Sequence, residues 1–414
     1  MTKKIAVIGG GAAGFFAALS CAEEFKKGAV DAEITIFEGN RAFLRKVKIS
    51  GGGRCNVTHN EFNTSIFCEA YPRGKKELRS PMETFQAFNT VEWFSERGVK
   101  LVAEEDGRMF PSTNDSQTII DCFTKECDRL GVIRRSGVRI KDLKYIDGDF
   151  ILKDRGERYL ADALLIATGS DKSGYELIES LGHQITDLAP SLFTFKINDP
   201  LFKEMAGTSF KEIEVKTCDF GKRNNKTRGP ILITHHGLSG PAILELSARA
   251  AREMKEHHYR TGLTINWTPF VKEAQVKDHL LTLKKDGANA LIKNRWPEFL
   301  TKKFWGRILE VLEVSEDKKY NELGMKDLNK IVLCLFCYKL NMTGQNRFKE
   351  EFVECGGVNL KEVSFQTMES KIISKLFFAG EVLDVDGITG GYNFQNAWTT
   401  GHLAGQNLAF SCLE

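Results

Sequence analysis

No stretch of this 414-residue chain is long and apolar enough to cross a bilayer: the most hydrophobic run, Ile331 to Cys337, has seven residues, against the roughly 20 a spanning helix needs. The amino end also lacks the basic, apolar and small-residue succession of a signal peptide, so a cytoplasmic protein with no membrane part is expected. Dense or paired cysteines are missing too. The ten present, Cys21, Cys55, Cys68, Cys122, Cys127, Cys218, Cys334, Cys337, Cys355 and Cys412, are scattered along the chain, which excludes a secreted disulfide scaffold and reads as reduced, mostly buried thiols. Cys334 and Cys337 are spaced as CxxC, but they lie in an apolar run and no second pair with zinc spacing exists, so no metal site is expected. An excess of one charge is also lacking. With 58 Lys and Arg against 55 Asp and Glu the net charge is +3, too little to argue for nucleic acid or membrane. Between Pro269 and Lys349 there are 16 basic and 10 acidic residues, interleaved and mostly lysine. This reads as a solvated helical face ahead of a nucleic-acid patch.

What the chain does have is an ordinary globular composition, 42% hydrophobic and 27% charged, which excludes disorder, collagen and coiled coil and implies two or three domains. The most informative segment is the first. Lys4 to Ile8 reads as a strand, Gly9-Gly10-Gly11-Ala12-Ala13-Gly14 as a turn, Phe15 to Lys27 as a helix, and Glu33 to Phe37 as a second strand ended by Glu38. A GxGxxG turn between strand and helix, completed by an acid at the end of the second strand, is a dinucleotide fingerprint. Gly9 makes the tight turn, Gly11 lets the backbone approach a pyrophosphate at the helix amino terminus, and Gly14 lets helix and strand pack closely. Glu38 would accept hydrogen bonds from ribose hydroxyls and repel a 2′-phosphate, leaving FAD or NAD as the nucleotide.

Two later segments bear on that choice. Ala163 to Ile166 followed by Ala167-Thr168-Gly169, and Lys375 to Phe378 followed by Ala379-Gly380-Glu381, are apolar strands with small-residue turns. With the first turn they resemble the three-part signature of the glutathione-reductase-like FAD fold, in which the last motif lays an acid, here Glu381, near the ribityl chain. A helix from Phe394 onward would point its amino terminus at the flavin ring. Short β-type runs fill Leu192 to Trp267, and Pro269 to Leu340 reads mostly helical. The expected fold class is therefore α/β, a split Rossmann FAD domain at 1–189 and 366–414. Its insert, 190–365, has a β-rich part (190–268 and 350–365) and a helical part (269–349).

Longer boxes carry a family resemblance. Lys46 to Thr58, containing Ser50-Gly51-Gly52-Gly53-Arg54-Cys55-Asn56, Glu105 to Pro111, Thr234 to Ala242, Thr367 to Lys371 and Phe378 to Trp398 together resemble the YhiN-like FAD-dependent oxidoreductases, the group that includes aminoacetone oxidase and BaiN-type bile-acid reductases. The resemblance spans the chain and implies noncovalent FAD. It places Gly9, Gly11, Ala12, Ala13, Gly14, Glu38, Gly39, Lys46, Ser50, Gly51, Gly52, Gly53, Arg54, Cys55, Asn56, Ala167, Thr168, Gly169, Gly380, Glu381, Gly391, Tyr392, Asn393, Phe394 and Gln395 around the cofactor. Three departures stand out: the loop after Gly169 is short, His59 stands where Asn is usual, and Leu44 where glycine is common.

Cys55 occupies the place of a redox thiol in disulfide reductases of this fold, yet Asn56, Val57, Thr58 and His59 follow it with no partner cysteine, so it reads as a packing residue. His59 reads as an ordinary loop histidine rather than a covalent flavin attachment. Tyr392, on the loop that delivers the last helix, is a candidate proton donor, although ring packing is the blander reading. His236, next to His235, is a second candidate acid or base. Asn393 and Gln395 are expected to offer amide hydrogen bonds to the flavin edge. No second GxGxxG follows a strand, so NAD(P)H, if it is the electron donor, would bind transiently over the flavin. The expected activity is hydride transfer from NAD(P)H through FAD to an activated double bond of a small molecule. An oxygen-dependent amine oxidase, or a flavin-bound RNA-binding or redox-sensing protein, are the alternatives. Nothing in the sequence reports the oligomeric state.

Overall fold

The computed structural model describes residues 2–220, 226–346 and 353–413. It divides into two compact units, Met1–Ala189 with Lys349–Glu414, and Pro190–Phe348. The expected end of the helical part at 349 lies outside the described residues.

In the first unit, β1 (Lys3–Ile8), β2 (Ala32–Glu38), β3 (Ile133–Ser136) and β4 (Ala163–Ile166) form a parallel sheet with a returning strand, Leu376–Phe378. The order is returning strand, β4, β1, β2, β3, with Ile5 opposite both Ala163 and Ile34. Ile5 to Ile8 are all buried, as the central strand of a sheet covered on both faces requires. The first helix, Ala12–Lys27, lies along the carboxy-terminal helix, Tyr392–Leu413. Their approach depends on two glycines one turn apart. A Cβ at Gly401 would sit 2.8 Å from the Ala13 carbonyl oxygen, and one at Gly405 2.2 Å from that of Ala17. Phe16, Trp93, Phe123 and Trp398 interlock beside this contact, with ring centroids 4.7 to 6.2 Å apart. These spacings suit edge and tilted packing.

In the second unit, β5 (Thr194–Ile197), β6 (Ser209–Thr217), β7 (Lys226–Thr234), β8 (Gly237–Ser239), β9 (Thr261–Asn266) and β10 (Tyr338–Asn346) close into an antiparallel barrel in the order β5-β8-β7-β6-β9-β10. Closure leaves no edge strand. Phe195, Val215, Ile233, Leu263 and Ile265 are buried in its core cluster. Helices Pro241–Arg249, Glu273–Asp286, Lys302–Val311 and Met325–Phe336 add to the same unit.

Two expected boundaries are corrected. Tyr338–Asn346, assigned to the helical part, is a barrel strand, because it pairs with β9 on one side and β5 on the other. Residues 353–365, assigned to the insert, belong with the first unit. Val363–Ser364 pairs with Glu369–Ser370 in the Rossmann sheet, and Gly357 backs onto the Val382 carbonyl so closely that a Cβ would lie 2.4 Å from it.

Candidate functional site

The glycine turn divides its tasks in a way each position shows. Gly9 has φ +113°, and a Cβ there would lie 2.3 Å from the Ala167 carbonyl oxygen; one at Gly14 would lie 2.0 Å from the Gly9 oxygen. Both are glycines so that backbones can touch. Gly11 differs: nothing lies within 4 Å of where its Cβ would be, so the amino end of the first helix opens onto free space. Across the turn, a Cβ at Gly380 would be 2.7 Å from the Ala13 Cβ. The first, middle and last signature segments therefore meet at one place.

Glu38 is fixed beside this turn. One carboxylate oxygen accepts from the Gly10 N–H at 2.9 Å, and the other from the backbone and side-chain nitrogens of Asn40 at 2.7 and 2.6 Å. It borders a cleft of about 90 Å³ that Gly9, Gly39, Arg139, Thr168 and Gly174 also line. The Arg139 guanidinium lies over Gly39, its Nε 2.9 Å from where a Cβ would be. Arg139 itself donates to Asp171 at 3.2 Å and Ser173 at 3.1 Å. Although burial opposes it, the hydrogen bonds from Ser173 and the Arg139 charge hold Asp171 below its ordinary carboxyl value. Thr168 Oγ1 is buried with no partner among the described residues, as is the Tyr175 hydroxyl. Burial, reinforced by Glu381, pushes the Tyr175 hydroxyl well above its ordinary value and keeps it protonated.

Lys46 and Glu381, 335 residues apart in the chain, form an ion pair at 2.5 Å. Ser170 lies 3.5 Å from the same ammonium, and a Cβ on Gly169 would be 3.5 Å from the Glu381 oxygen. The segment that follows Lys46 leaves helical geometry at Ser50, then runs through Gly51, Gly52 and Gly53 at φ +58°, +69° and +85°. Gly52 and Gly53 have open space before them. Arg54 turns aside, 2.7 Å from Glu104 and 3.9 Å from the centre of the Phe110 ring. Cys55 is fully buried, and burial pushes its thiol up to about 12. A thiol so protonated is inert at neutral pH, in keeping with a packing role. Leu44 takes φ +55° and is 1% exposed, so a left-handed leucine is accepted here and its side chain is buried.

The start of the carboxy-terminal helix is held from three sides. Asn56, with its amide oriented to satisfy both ends, accepts from the Gly391 N–H at 2.9 Å. The Tyr71 hydroxyl donates to the Tyr392 carbonyl at 2.7 Å. His59 Nδ1 lies 3.0 Å from the Gly390 carbonyl oxygen, which only accepts, so that nitrogen carries the proton. The Tyr392 ring stacks on His59 at 4.8 Å and meets Phe67 edge-on at 4.9 Å. A buried Arg73–Asp386 pair braces the preceding loop.

The two amides expected at the flavin edge both have partners within the protein. Asn393 uses both ends of its amide on the Gly387 backbone. Gln395 is 0% exposed, accepts from Thr58 and Thr90, and donates to Thr399. The buried Gln395 amide is engaged within the protein, and the partly exposed Asn393 amide is positioned by the Gly387 backbone. Phe394 stacks on Trp398 at 5.5 Å. His236 belongs to the second unit, exposed in the turn between β7 and β8, with its N–H 3.3 Å from Thr234 Oγ1. Arg139, Tyr71 and Arg73 have no signal in the sequence because each reaches its partner across a fold that no local pattern reports, whereas Asn40 lies only two residues from Glu38.

An adenine dinucleotide fits these residues: an open helix amino terminus at Gly11, an anchored acid at Glu38 and an unpaired buried hydroxyl at Thr168 line one region. Fold and turn together define a Rossmann protein of the FAD-binding, glutathione-reductase-like class. The chain belongs to the HI0933-like Rossmann family, whose model matches residues 3–407. It is 28% identical over 417 residues to the 3-dehydro-bile acid delta(4,6)-reductase of Clostridium scindens, covering 98% of this chain and 99% of that one. It is 26% identical over 412 residues to the ribosomal RNA dihydrouridine synthase of Escherichia coli, covering 97% of each. Among solved structures, it resembles 3-ketosteroid delta1-dehydrogenase from Sterolibacterium denitrificans at TM-score 0.52 and 11% identity, covering 99% of this chain and 100% of that one. An open flavocytochrome c3 fumarate reductase gives TM-score 0.51 at 15% identity, covering 100% and 79%. The latter two show the fold. No helix among the described residues is long and apolar enough to span a membrane.

Proposed function

We propose that this FAD-dependent oxidoreductase is a reductase that saturates a carbon–carbon double bond conjugated to a carbonyl, with NAD(P)H as a transient electron donor. The observation that carries the reading is that relatives aligned over nearly the whole chain, though named for different substrates, are named for one kind of change. A 3-dehydro delta(4,6) bile acid and a uridine both carry a double bond conjugated to a carbonyl, and both names describe its reduction. Bound FAD would supply two-electron chemistry, accepting hydride from the nicotinamide and passing it to carbon. In this chain, Gly11 and the helix behind it would hold the pyrophosphate, Glu38 the adenosine ribose, and the Lys46–Glu381 pair the ribityl side. The buried Cys55 thiol leaves no dithiol relay to a disulfide substrate. Tyr392, steadied by His59 and Phe67, would orient the substrate ring or supply the proton that completes saturation, and His236 is the second candidate for that proton.

A second reading concerns the substrate. Residues 190–348 hold 27 Lys and Arg against 18 Asp and Glu, net +9, while the rest of the chain holds 31 against 37, net −6. Such asymmetry favours a polyanion, so the double bond reduced would be that of a uridine in RNA. Incubation with NADPH and either a 3-oxo-delta4,6 bile acid or ribosomal RNA, read by mass, tests both readings. A gain of two hydrogens in one substrate supports the reductase, and no gain in either, with an amine consumed instead, refutes it.

A further inference from the structure

The barrel carries a feature that the cofactor site does not use. Lys216 of β6 is in register with Lys226 of β7 on one side and with Thr264 of β9 on the other, and Thr264 is in register with Lys339 of β10. Three lysines thus lie in one row across four adjacent strands. Val215, Thr217, Thr227, Leu263, Ile265 and Leu340, their sequence neighbours, are buried, while Lys216, Lys226 and Lys339 are exposed, so the strand alternation points all three outward. At about 4.8 Å between strands the row is about 14 Å long, a length along which a nucleic-acid strand presents several phosphates.

The charges on this face are poorly matched within the protein. Like charges directly opposite in a sheet are destabilising, and Lys216 faces Lys226. Glu214 serves Lys226 at 3.5 Å. Glu212 is 3.4 Å from Arg228, and Asp219 is held by the Thr261 hydroxyl and the Gly262 N–H at 2.8 Å each. Lys216 and Lys339 have no ion-pair partner among the described residues. The face is an extended strip, not a pocket, so a small anion would meet one or two of its cations while a polymer would meet all of them.

We propose that this outer face of the barrel, the row Lys226–Lys216–Thr264–Lys339, is the surface on which RNA backbone docks. The inference rests on the RNA reading above and adds where the polymer is held. It commits to RNA rather than to an acidic protein because full-length relatives are named for ribosomal RNA and because the excess charge of the inserted unit is spread over many lysines.

The protein carries its own reporters. Of its ten cysteines only Cys218 and Cys337 are exposed. Cys218 lies two residues beyond Lys216, and Cys337 two before Lys339. Full-length, FAD-loaded protein titrated with ribosomal RNA fragments should lose maleimide labelling at one or both thiols as the RNA saturates. Replacing Lys216→Glu with Lys339→Glu should weaken RNA binding at least tenfold at 0.1 M salt and lower the slope of log affinity against log salt by about 2. NAD(P)H-driven flavin reduction should stay unchanged. Lys326→Glu with Lys330→Glu, the same charge change on the exposed side of helix Met325–Phe336, is the control and should lose less than threefold. Equal losses in both double variants, or thiols that label at full rate under saturating RNA, would overturn the docking surface while leaving RNA as a substrate. Wild-type protein that neither binds nor modifies ribosomal RNA would overturn this inference and the RNA reading together, with bile-acid reduction unaffected.

Discussion

Gly11 and Gly14 are three residues apart in one motif, yet the structure gives their substitution opposite consequences. Gly11→Val places its side chain where nothing lies within 4 Å, at φ −94° and ψ −168°, which any residue adopts. Loss of glycine's unfolded-state freedom stabilises by about 0.4–1 kcal/mol, and the poorer helix cap costs a similar amount, so the apoprotein should change by less than about 1 kcal/mol. The same open space is the approach to the pyrophosphate, so FAD affinity should fall at least 100-fold, which is about 2.7 kcal/mol. Gly14→Ala is the reverse. Its Cβ would lie 2.0 Å from the Gly9 oxygen, an overlap that should destabilise the apoprotein by about 1–3 kcal/mol while protein that folds still takes up FAD. Urea unfolding of both apoproteins and FAD titration by fluorescence quenching separate the two. A Gly11→Val protein that binds FAD stoichiometrically, or a Gly14→Ala protein as stable as wild type, would refute the assignment of this turn.

Tyr392→Phe keeps the ring stacked on His59 and removes only the hydroxyl; a fall in substrate reduction of about 100-fold or more, with flavin reduction by NAD(P)H intact, is expected if the phenol supplies the proton, and an unchanged rate restricts Tyr392 to packing. Cys55→Ser should leave flavin reduction unaltered and show no lost long-wavelength charge-transfer band, whereas loss of turnover with FAD bound would restore a catalytic thiol. His402, against Phe85 and near Ser20, has its imidazole lowered by burial to about 4. The unfolded chain, with a value near 6.5, binds this proton first, so the stability present above about pH 6.5 should be lost as pH falls toward 4, by about 2–3 kcal/mol. Unfolding curves at pH 7 and pH 4.5 measure it, and a His402→Gln protein that loses as much stability as wild type would contradict it.

The cofactor half of the molecule was readable because its signals are local. Strand, glycine turn, helix and terminal acid occupy Lys3 to Glu38, and each later signature segment is a short apolar strand with its own turn. The barrel was not readable in the same way. Tyr338–Asn346 follows helix Met325–Phe336 directly, and only its pairing with β9, some 70 residues upstream, makes it a strand. The same holds within the site. Gln395 has the amide chemistry and the position expected of a flavin contact, but long-range packing against Thr58 and Thr90 engages its carbonyl, a pairing no local pattern reports. Arg139 was invisible for the opposite reason: it reaches Gly39 and Asp171 from a segment with no motif of its own.

The central claim is tested most directly by mixing the anaerobic, FAD-loaded protein with NADPH or NADH and then with a 3-oxo-delta4,6 bile acid or ribosomal RNA while following flavin absorbance. The account predicts bleaching by a nicotinamide, recovery of the yellow colour on adding one of the two unsaturated substrates, and a product heavier by two hydrogens. Bleaching by a primary amine instead, with no response to either nicotinamide and peroxide formed when air is admitted, would contradict it and make the protein an oxidase.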